Sequence, residues 1–504
     1  MMIKLKIMNR KKLTSILIFC VGLIAAQTKN EFLDRKFWQT NPTLQTVKQK
    51  ISEGNNPAEL NQYGFDAVVY AILEKTDNDI IKYLLTIDGN KINKLTHDKR
   101  TYVFWAAYAD NVELMKYLIA NKARMDLKDS HSFSVLTFAA VTGQTNTQIY
   151  DLCIEHGIDI KNDIDKHGAN ALLLASGNLK DFSLLDYFIS KGIELQSRDH
   201  YGNGIFNYVA RKGNRNLLEK LKVKGITVDS LNKKGENALF LATKGSRKGY
   251  NSLEYLHYLE SLGLESNIIT KEGSTPLHNL AYGNKDLKIF KYFFEKGSNP
   301  NQINQEGNSA LINAAYRNSL EVITLLANKT KNINHKNKDG VSALTAAVSR
   351  NSFEITKFLL EKGADISVKD SKGNSLAYYL IKYYSDKDQE DFKKKKNILV
   401  KNGLNLHELQ DGGNTLFHLA VDKNNLNLLK EISVLNLNIN AKNNSGLTVL
   451  HKAVMSAKNT KIIEYLLSIG AKKSITTEFG ETVFDLAKEN EILSSKNIDI
   501  KFLK

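Results

Sequence analysis

The chain has 504 residues, of which 42% are hydrophobic and 25% charged, and its formal net charge is +16. This composition excludes an intrinsically disordered chain. Four prolines in total exclude Pro-rich linkers, and the length predicts several domains or one repetitive array.

The first 26 residues have the form of a secretory signal peptide. A basic segment precedes an apolar run over residues 13–26, which ends in small residues and is too short for a comfortable membrane span. We therefore predict an exported protein, periplasmic first and secreted second, that meets a membrane only through this segment. The alternatives are an uncleaved anchor and lipid attachment at Cys20. Lipid attachment is disfavoured because Phe19 stands where a lipoprotein signal has a small residue.

Residues 27–60 are predicted to form an N-terminal capping segment. Within it, residues 44–60 read as a helix that ends at a Gly/Asn/Pro break. Cys153 is the one cysteine left after cleavage at residue 26, so an internal disulfide is excluded and the fold depends on packing.

A nine-residue motif then recurs along the rest of the chain. Its best copy is GSTPLHNLA, and related copies include GNSALINAA, GVSALTAAV and GLTVLHKAV. We call the first residue of each copy its anchor, and successive anchors are 33 to 40 residues apart. The thirteen anchors are Gly64, Lys99, Ser132, Gly168, Gly202, Gly235, Gly273, Gly307, Gly340, Gly373, Gly413, Gly446 and Gly480.

Other residues keep the same register. Asn or Asp stands three residues before nine of the anchors, where a short polar side chain can hydrogen-bond a turn. A glycine ten or eleven residues before the next anchor follows an apolar stretch, as at a helix C-terminus. Each unit therefore reads as a turn, a short helix with small residues, a longer helix with large apolar residues, and an extended finger.

The period, the turn residues and the TPLH motif at Thr275 resemble the ankyrin-repeat family over residues 61–490. The resemblance implies an all-α solenoid of about 12–13 helix-turn-helix repeats with short β-hairpin-like fingers. Residues 491–504 are predicted to be a polar C-terminal tail. Family members bind proteins, so the resemblance also implies a non-catalytic scaffold that binds a partner through the concave face of the solenoid.

Two units are longer than the others. The insertions lie within residues 243–263 and 378–403, between the two helices of their repeats. The second insertion holds Tyr378, Tyr379, Tyr383 and Tyr384, and then four lysines at 393–396. A solvated, extended helix is the expected interpretation, and a contact point for a partner is the alternative.

Three histidines occupy the same register position, five residues after the anchor: His278, His418 and His451. A catalytic histidine needs a partner group in a single constellation, and these lie in separate repeats. The resemblance implies that they hold the repeat turn by hydrogen bonds. Cys153 and His156 could suggest a metal pair, but two ligands do not make a site, and no phosphate-loop, nucleophile-elbow or HExxH motif is present. We predict no enzyme activity, cofactor or metal.

The basic charge raises nucleic acid as a partner class. Lysine and arginine are expected to be spread over finger tips and outer helix ends rather than on one aromatic platform, so we predict a protein partner, no nucleic acid, and a monomer. A secreted effector or toxin-associated protein acting on another cell is the alternative function. From the register positions of family contacts, the predicted partner-binding residues are Lys271, Glu272, Ser274, Tyr282, Gln305, Glu306, Asn308, Tyr316, Arg317, Lys338, Asp339, Ser349 and Arg350.

Overall fold

The computed structural model of the protein describes residues 30–179, 181–228, 231–246 and 249–504. The predicted signal peptide, with Cys20, lies outside the described residues. Within the described ranges the regular structure is helical, and pairing between extended segments is limited to isolated β-bridges such as Lys336 with Ser342. The all-α class is confirmed.

Two helices precede a series of helix pairs. Among the described residues 28 α-helices form, and those after α2 make thirteen consecutive pairs. Helices α1 to α28 span, in chain order, Arg35–Gln39, Leu44–Ser52, Ala67–Leu73, Asn78–Leu85, Tyr102–Tyr108, Val112–Ala120, Val135–Thr142, Thr147–Glu155, Ala171–Ser176, Ser183–Ser190, Ile205–Arg211, Arg215–Val223, Ala238–Ala242, Leu253–Ser261, Pro276–Ala281, Leu287–Glu295, Ala310–Ala315, Leu320–Ala327, Ala343–Arg350, Phe353–Glu361, Leu376–Lys382, Gln389–Lys401, Leu416–Asp422, Leu426–Ser433, Val449–Ser456, Lys461–Ser468, Val483–Glu489 and Glu491–Ser495.

The chain divides into two compact units. One contains the residues up to Ala139 and Asn146–Ile158, and the other contains Ala140–Thr145 and Asp159–Lys504. The first unit holds α1–α6 and α8, and the second holds α9–α28.

In the second unit, small residues on the first helices let neighbouring repeats approach closely. Every residue of α17 is buried, and this six-residue helix contains three alanines. Its N-cap Ser309 accepts a hydrogen bond from the Ile312 amide at 3.3 Å. Helix α17 packs between α15 and α19, and α18 packs between α16 and α20. One repeat cannot bury both of its helices alone, so stability depends on stacking.

In the second unit, the finger before a first helix is a tight turn, and backbone hydrogen bonds join most consecutive fingers. In the repeat of Gly340, the Asn337 amide donates to the Val341 carbonyl at 3.0 Å, and the Asn337 Oδ1 accepts from the Val341 amide at 2.9 Å. The Lys338 amide donates to the Glu306 carbonyl of the preceding finger at 3.0 Å. This role of the Asn/Asp position is the one that the register predicts.

In the first unit, the segment before the repeats is anchored by aromatic residues. Phe32 and Trp38 are fully buried and their rings stack at 5.6 Å. The Trp38 indole donates to the Phe32 carbonyl at 2.9 Å, which satisfies its buried N–H. Helix α2, Leu44–Ser52, forms where the sequence predicts a capping helix.

At the other end, helical structure continues into the predicted tail. Helix α28 begins at Glu491, and its N-cap Asn490 accepts from the Ile492 amide at 2.9 Å. The Asn490 Nδ2 donates to the carbonyls of Val454 at 2.8 Å and Ala457 at 3.0 Å, so α28 is tied to the preceding repeat. None of the described helices is both long enough and apolar enough to cross a membrane.

Candidate protein-binding surface

His278 closes a turn and joins two repeats. Its Nδ1 accepts from the Thr275 amide at 3.1 Å, which fixes the proton of the neutral ring on Nε2. That Nε2–H donates to the Asn308 carbonyl of the next repeat at 3.0 Å. Both ring nitrogens are therefore used in structural bonds. Burial lowers the pKa of His278, an effect that the bond to Asn308 opposes.

The other two histidines repeat this geometry. His418 bonds to the Thr415 amide at 3.2 Å and the Leu447 carbonyl at 3.0 Å. His451 bonds to the Thr448 amide and the Ile475 carbonyl, each at 3.0 Å. These are the within-repeat and between-repeat bonds that the resemblance implies. The three rings lie in separate repeats, and the Nδ1 of each also lies 2.8–3.0 Å from the hydroxyl of the N-cap threonine of its own helix.

Ten of the thirteen repeats carry another residue at the histidine position, and in one of them that residue is a buried amide without a partner in the described part of the chain. Asn207 stands at the histidine position of the repeat of Gly202, and Gly204 stands at its N-cap. Asn207 is 1% exposed, and both polar atoms of its side chain lack a hydrogen-bond partner within the described residues. A buried unsatisfied amide costs about 1–3 kcal/mol. This repeat is therefore a weak point of the second unit.

Restoring the hydrogen bonds of the histidine turn in this repeat should stabilise the protein. The double substitution Gly204→Ser with Asn207→His supplies a hydroxyl cap and a ring that can donate to the Glu236 carbonyl, the equivalent of Asn308. We expect the free energy of unfolding to rise by about 1 kcal/mol. Urea unfolding measures it, with Asn207→His alone as the control that lacks the hydroxyl. A double variant no more stable than the wild type would contradict the interpretation.

The possible metal pair is split between core and surface. Cys153 is fully buried in α8, whereas His156 is the exposed C-cap of that helix. The described part of the chain brings no three potential ligands together around such a site.

Most of the predicted partner-binding residues reach the surface. Four positions differ from the rest: Ser274, Asn308 and Tyr316 are half-buried, and Ser349 is buried and donates to the Thr345 carbonyl at 2.7 Å. The prediction for Ser349 is therefore wrong, because its short side chain bonds back to the helix instead of facing outward. The exposed ones are Lys271, Glu272, Tyr282, Gln305, Glu306, Arg317, Lys338, Asp339 and Arg350.

The structure adds neighbours that the sequence analysis missed. The residues nine and ten after the anchor lie at the C-terminal ends of the first helices, and in the six repeats from Gly202 to Gly373 none of them is acidic. We call this set the basic stripe. Its lysines, arginines and tyrosines are Arg211, Lys212, Lys244, Tyr282, Tyr316, Arg317, Arg350, Lys382 and Tyr383. Extending the register count beyond the three central repeats would have found it.

Neighbouring members of the basic stripe touch. The Arg317 Nε donates to the Tyr282 carbonyl at 3.2 Å. The Arg350 guanidinium lies 4.9 Å from the centre of the Tyr383 ring, and the Lys382 ammonium lies 5.8 Å from it. Burial raises the pKa of Tyr316, and the nearby hydroxyls of Tyr383 and Tyr282 raise it further. In these repeats, basic residues at the first-helix ends therefore lie beside tyrosines.

Residues of the 243–263 insertion line one side of a cavity next to the basic stripe. Tyr250, Tyr282 and Arg317 line an open cavity of about 730 Å³ together with Lys244, Ser246 and Asn279. Burial raises the pKa of the Tyr250 hydroxyl, and the charge of Arg317 opposes this shift. Aromatic and cationic groups therefore converge on one recess.

The 378–403 insertion is fixed by internal contacts. Tyr384 is buried, and its ring meets Phe392 edge-on at 5.0 Å. Lys395 is also buried, pairs with Asp391 at 2.8 Å and donates to the Asn351 carbonyl. Lys393, Lys394 and Lys396 each lie within 4.0 Å of a glutamate carboxylate. The solvated-helix interpretation is therefore wrong for Lys395, because the longer α22 packs back onto α20.

The comparison with known families decides the class of protein. The model for ankyrin repeats matches residues 39–129, 103–199, 206–304, 277–370 and 375–477. The chain belongs to the ankyrin-repeat family. The thirteen helix pairs of the described residues are the helical repeats of this all-α family. Ankyrin repeats are protein-binding modules and are generally non-catalytic, so the exposed fingers and helix ends are the candidate contact surface.

Curated relatives match about half of the chain at low identity. The putative ankyrin repeat protein L271 of Acanthamoeba polyphaga mimivirus is 22% identical over 250 residues, which is 48% of this chain and 32% of the relative. The NAD-dependent deacetylase sir2B of Dictyostelium discoideum is 25% identical over 268 residues, 51% of this chain and 32% of the relative. The chain spans about a third of the length of these relatives.

Solved structures also match the chain. A chain of the complex between the Bd0816 predatory endopeptidase of Bdellovibrio bacteriovorus and immunity protein Bd3460 is 28% identical. The match covers 38% of the ankyrin chain and 99% of the other chain, with a TM-score of 0.32.

Proposed function

We propose that this protein is a non-catalytic scaffold that binds one partner protein through the fingers and first-helix ends of the repeats of Gly273, Gly307 and Gly340. The proposal rests on the exposed side chains at the finger and helix-end positions of these repeats. The repeat fold does not require a particular residue type at these positions. Lys271, Tyr282 and Arg317 are exposed, whereas the turn residues Thr275 and His278 are buried.

The hydrogen bonds of the three turn histidines agree with a binding role. The three histidines spend both ring nitrogens on backbone partners. A general base needs a free ring nitrogen within hydrogen-bond reach of the proton it takes. These rings hold the fold, and the exposed residues around them are left for recognition.

We also propose that the scaffold works outside the cytoplasm, in the periplasm. Support comes from the basic and apolar segments of residues 1–26. With one cysteine after residue 26, the repeats need no disulfide in an oxidising compartment.

Site-specific photocrosslinking in the native organism tests the proposal. A benzophenone side chain in place of Tyr282 should form an adduct with one partner protein. The same group in place of Val223, which is 89% exposed on the second helix α12, should form none. The cell fraction that yields the adduct separates periplasmic retention from secretion.

The reverse pattern would overturn the proposed surface. If Val223 gives the adduct and Tyr282 gives none, the partner contacts the second helices instead. Adducts found only in the cytosol, on protein that keeps residues 1–26, would overturn the proposed location.

A further inference from the structure

We infer that the partner presents an acidic segment, and that the basic stripe binds it by pairing its carboxylates with Arg211, Arg317 and Arg350. This inference rests on the proposed function, since it names the chemistry of the partner at the same surface. It concerns six consecutive repeats of the second unit, from Gly202 to Gly373.

Ion pairing within the protein singles out these three arginines. Arg211, Arg317 and Arg350 have no carboxylate oxygen within 4.0 Å among the described residues, and all three lie on the basic stripe. The other arginines elsewhere in the described ranges make internal contacts. Arg35, Arg100, Arg124 and Arg215 pair with carboxylates, and Arg198 donates to the Gly202 carbonyl.

The helix dipole alone does not explain the charge of the basic stripe. Cations are favoured at helix C-termini by a few tenths of a kcal/mol to about 1 kcal/mol. Yet the same two register positions carry an acid in other repeats, at Glu74, Asp422 and Glu489. The position therefore tolerates acids, and their absence from six consecutive repeats leaves a surface that attracts negative charge.

Contacts with tyrosines hold two of the three arginine guanidinium groups in place. Arg350 stacks over the Tyr383 ring, and the bond from the Arg317 Nε to the Tyr282 carbonyl fixes one edge of that guanidinium. Tyr282 itself is 47% exposed, so it offers apolar area beside the charge. A guanidinium held in this way loses less freedom when it forms a bidentate pair.

Carboxylates on the finger tips favour a protein over a nucleic acid. Glu272, Glu306 and Asp339 are exposed in the same repeats. A nucleic acid carries a negative phosphate at every nucleotide and would meet these groups along its length. A protein segment can place its acids against the arginines and other residues against the finger tips.

A defined acidic peptide tests the inference without knowledge of the partner. The probe is a labelled peptide of repeated Glu-Ala-Glu-Tyr units, and the variant of the full chain is Arg211→Gln/Arg317→Gln/Arg350→Gln. We expect fluorescence anisotropy to show roughly 100-fold weaker binding, because three charge-assisted contacts with the peptide carboxylates are lost. Added salt should weaken wild-type binding and affect the variant little.

A charge-matched control separates the basic stripe from net charge. Arg124→Gln/Lys291→Gln/Lys357→Gln removes the same number of cations from exposed positions outside the basic stripe. This variant should bind within about twofold of the wild type, because it changes only screened charges that are not contacts of the stripe. Circular dichroism checks that both variants fold.

Three results would overturn the inference: equal losses in the two variants, equal binding of a Gln-Ala-Gln-Tyr peptide, or tighter binding of a single-stranded oligonucleotide. The proposed function is judged separately. If the Tyr282 adduct forms equally well on the stripe variant, the surface stands and the acidic chemistry is wrong. If no adduct forms at Tyr282 but the acidic peptide binds, the proposed partner contact fails instead.

Discussion

Replacing Gly340 by alanine is expected to lower the free energy of unfolding by about 3 kcal/mol, more than the same change at any open finger. Gly340 has φ +78°, which costs an alanine about 1–2 kcal/mol. An added Cβ would also lie 2.6 Å from the Asp370 carbonyl carbon and the Ser371 nitrogen of the next finger. That finger cannot retreat without losing the bond from the Ser371 amide to the Asp339 carbonyl, which is 2.8 Å long.

The next repeat supplies the control. Gly373 holds the same register position with φ +83°, but an added Cβ there meets no atom within 4 Å. Gly373→Ala should therefore cost only the backbone term, about 1 kcal/mol. Urea unfolding of both variants measures the difference. Equal decreases in the free energy of unfolding at Gly340 and Gly373 would mean that the close approach of neighbouring fingers adds nothing to the cost of Gly340→Ala.

The fold was predictable because it is repeated. Any one copy is ambiguous, but a register kept from Gly64 to Gly480 averages out the degenerate copies, such as that of Lys99. The turn residues and the histidines could be assigned for the same reason. Their roles depend on neighbours at fixed distances along the chain, and the period gives those distances.

The surface was less predictable, because it depends on pairing between side chains. Sequence alone gave Arg317 and Arg350 as candidates but also Ser349, which bonds back to its own helix. It could not tell that Lys395 is buried and donates to the Asn351 carbonyl of the preceding repeat, while Arg350 has no carboxylate within 4.0 Å among the described residues. Whether a cation is free or paired is decided by contacts between repeats, which no register position records.

Acid is expected to unfold the protein through its three structural histidines. Burial lowers the pKa of His278, His418 and His451 below the ordinary value of 6.5. The unfolded chain therefore binds more protons, so stability rises with pH in this range. The stabilisation is complete above about pH 6.5 and is lost as the pH falls from there toward the folded-state pKa values. Each histidine can remove up to about 1.4 kcal/mol per pH unit.

The geometry explains why protonation is costly. A proton on Nδ1 would replace the lone pair that accepts the amide of Thr275, Thr415 or Thr448. Neighbouring charges modify two of the sites. Lys452 lowers the pKa of His418 while Asp422 raises it, and Lys442 lowers the pKa of His451 while Glu481 raises it. Burial is the largest cause in each case, so the direction is the same for all three.

The test compares urea unfolding of the wild type and a triple His→Gln variant between pH 7.5 and 5.5. Glutamine at this helix position can still form a capping box with threonine but does not titrate. We expect the wild type to become less stable as the pH falls across this range, with about 4 kcal/mol per pH unit as the limit when all three rings titrate together. The variant should be less stable at pH 7.5 and nearly independent of pH. A wild-type slope that persists in the variant would place the acid sensitivity in other groups, because the only titrating side chains that differ between the two proteins are the three histidines.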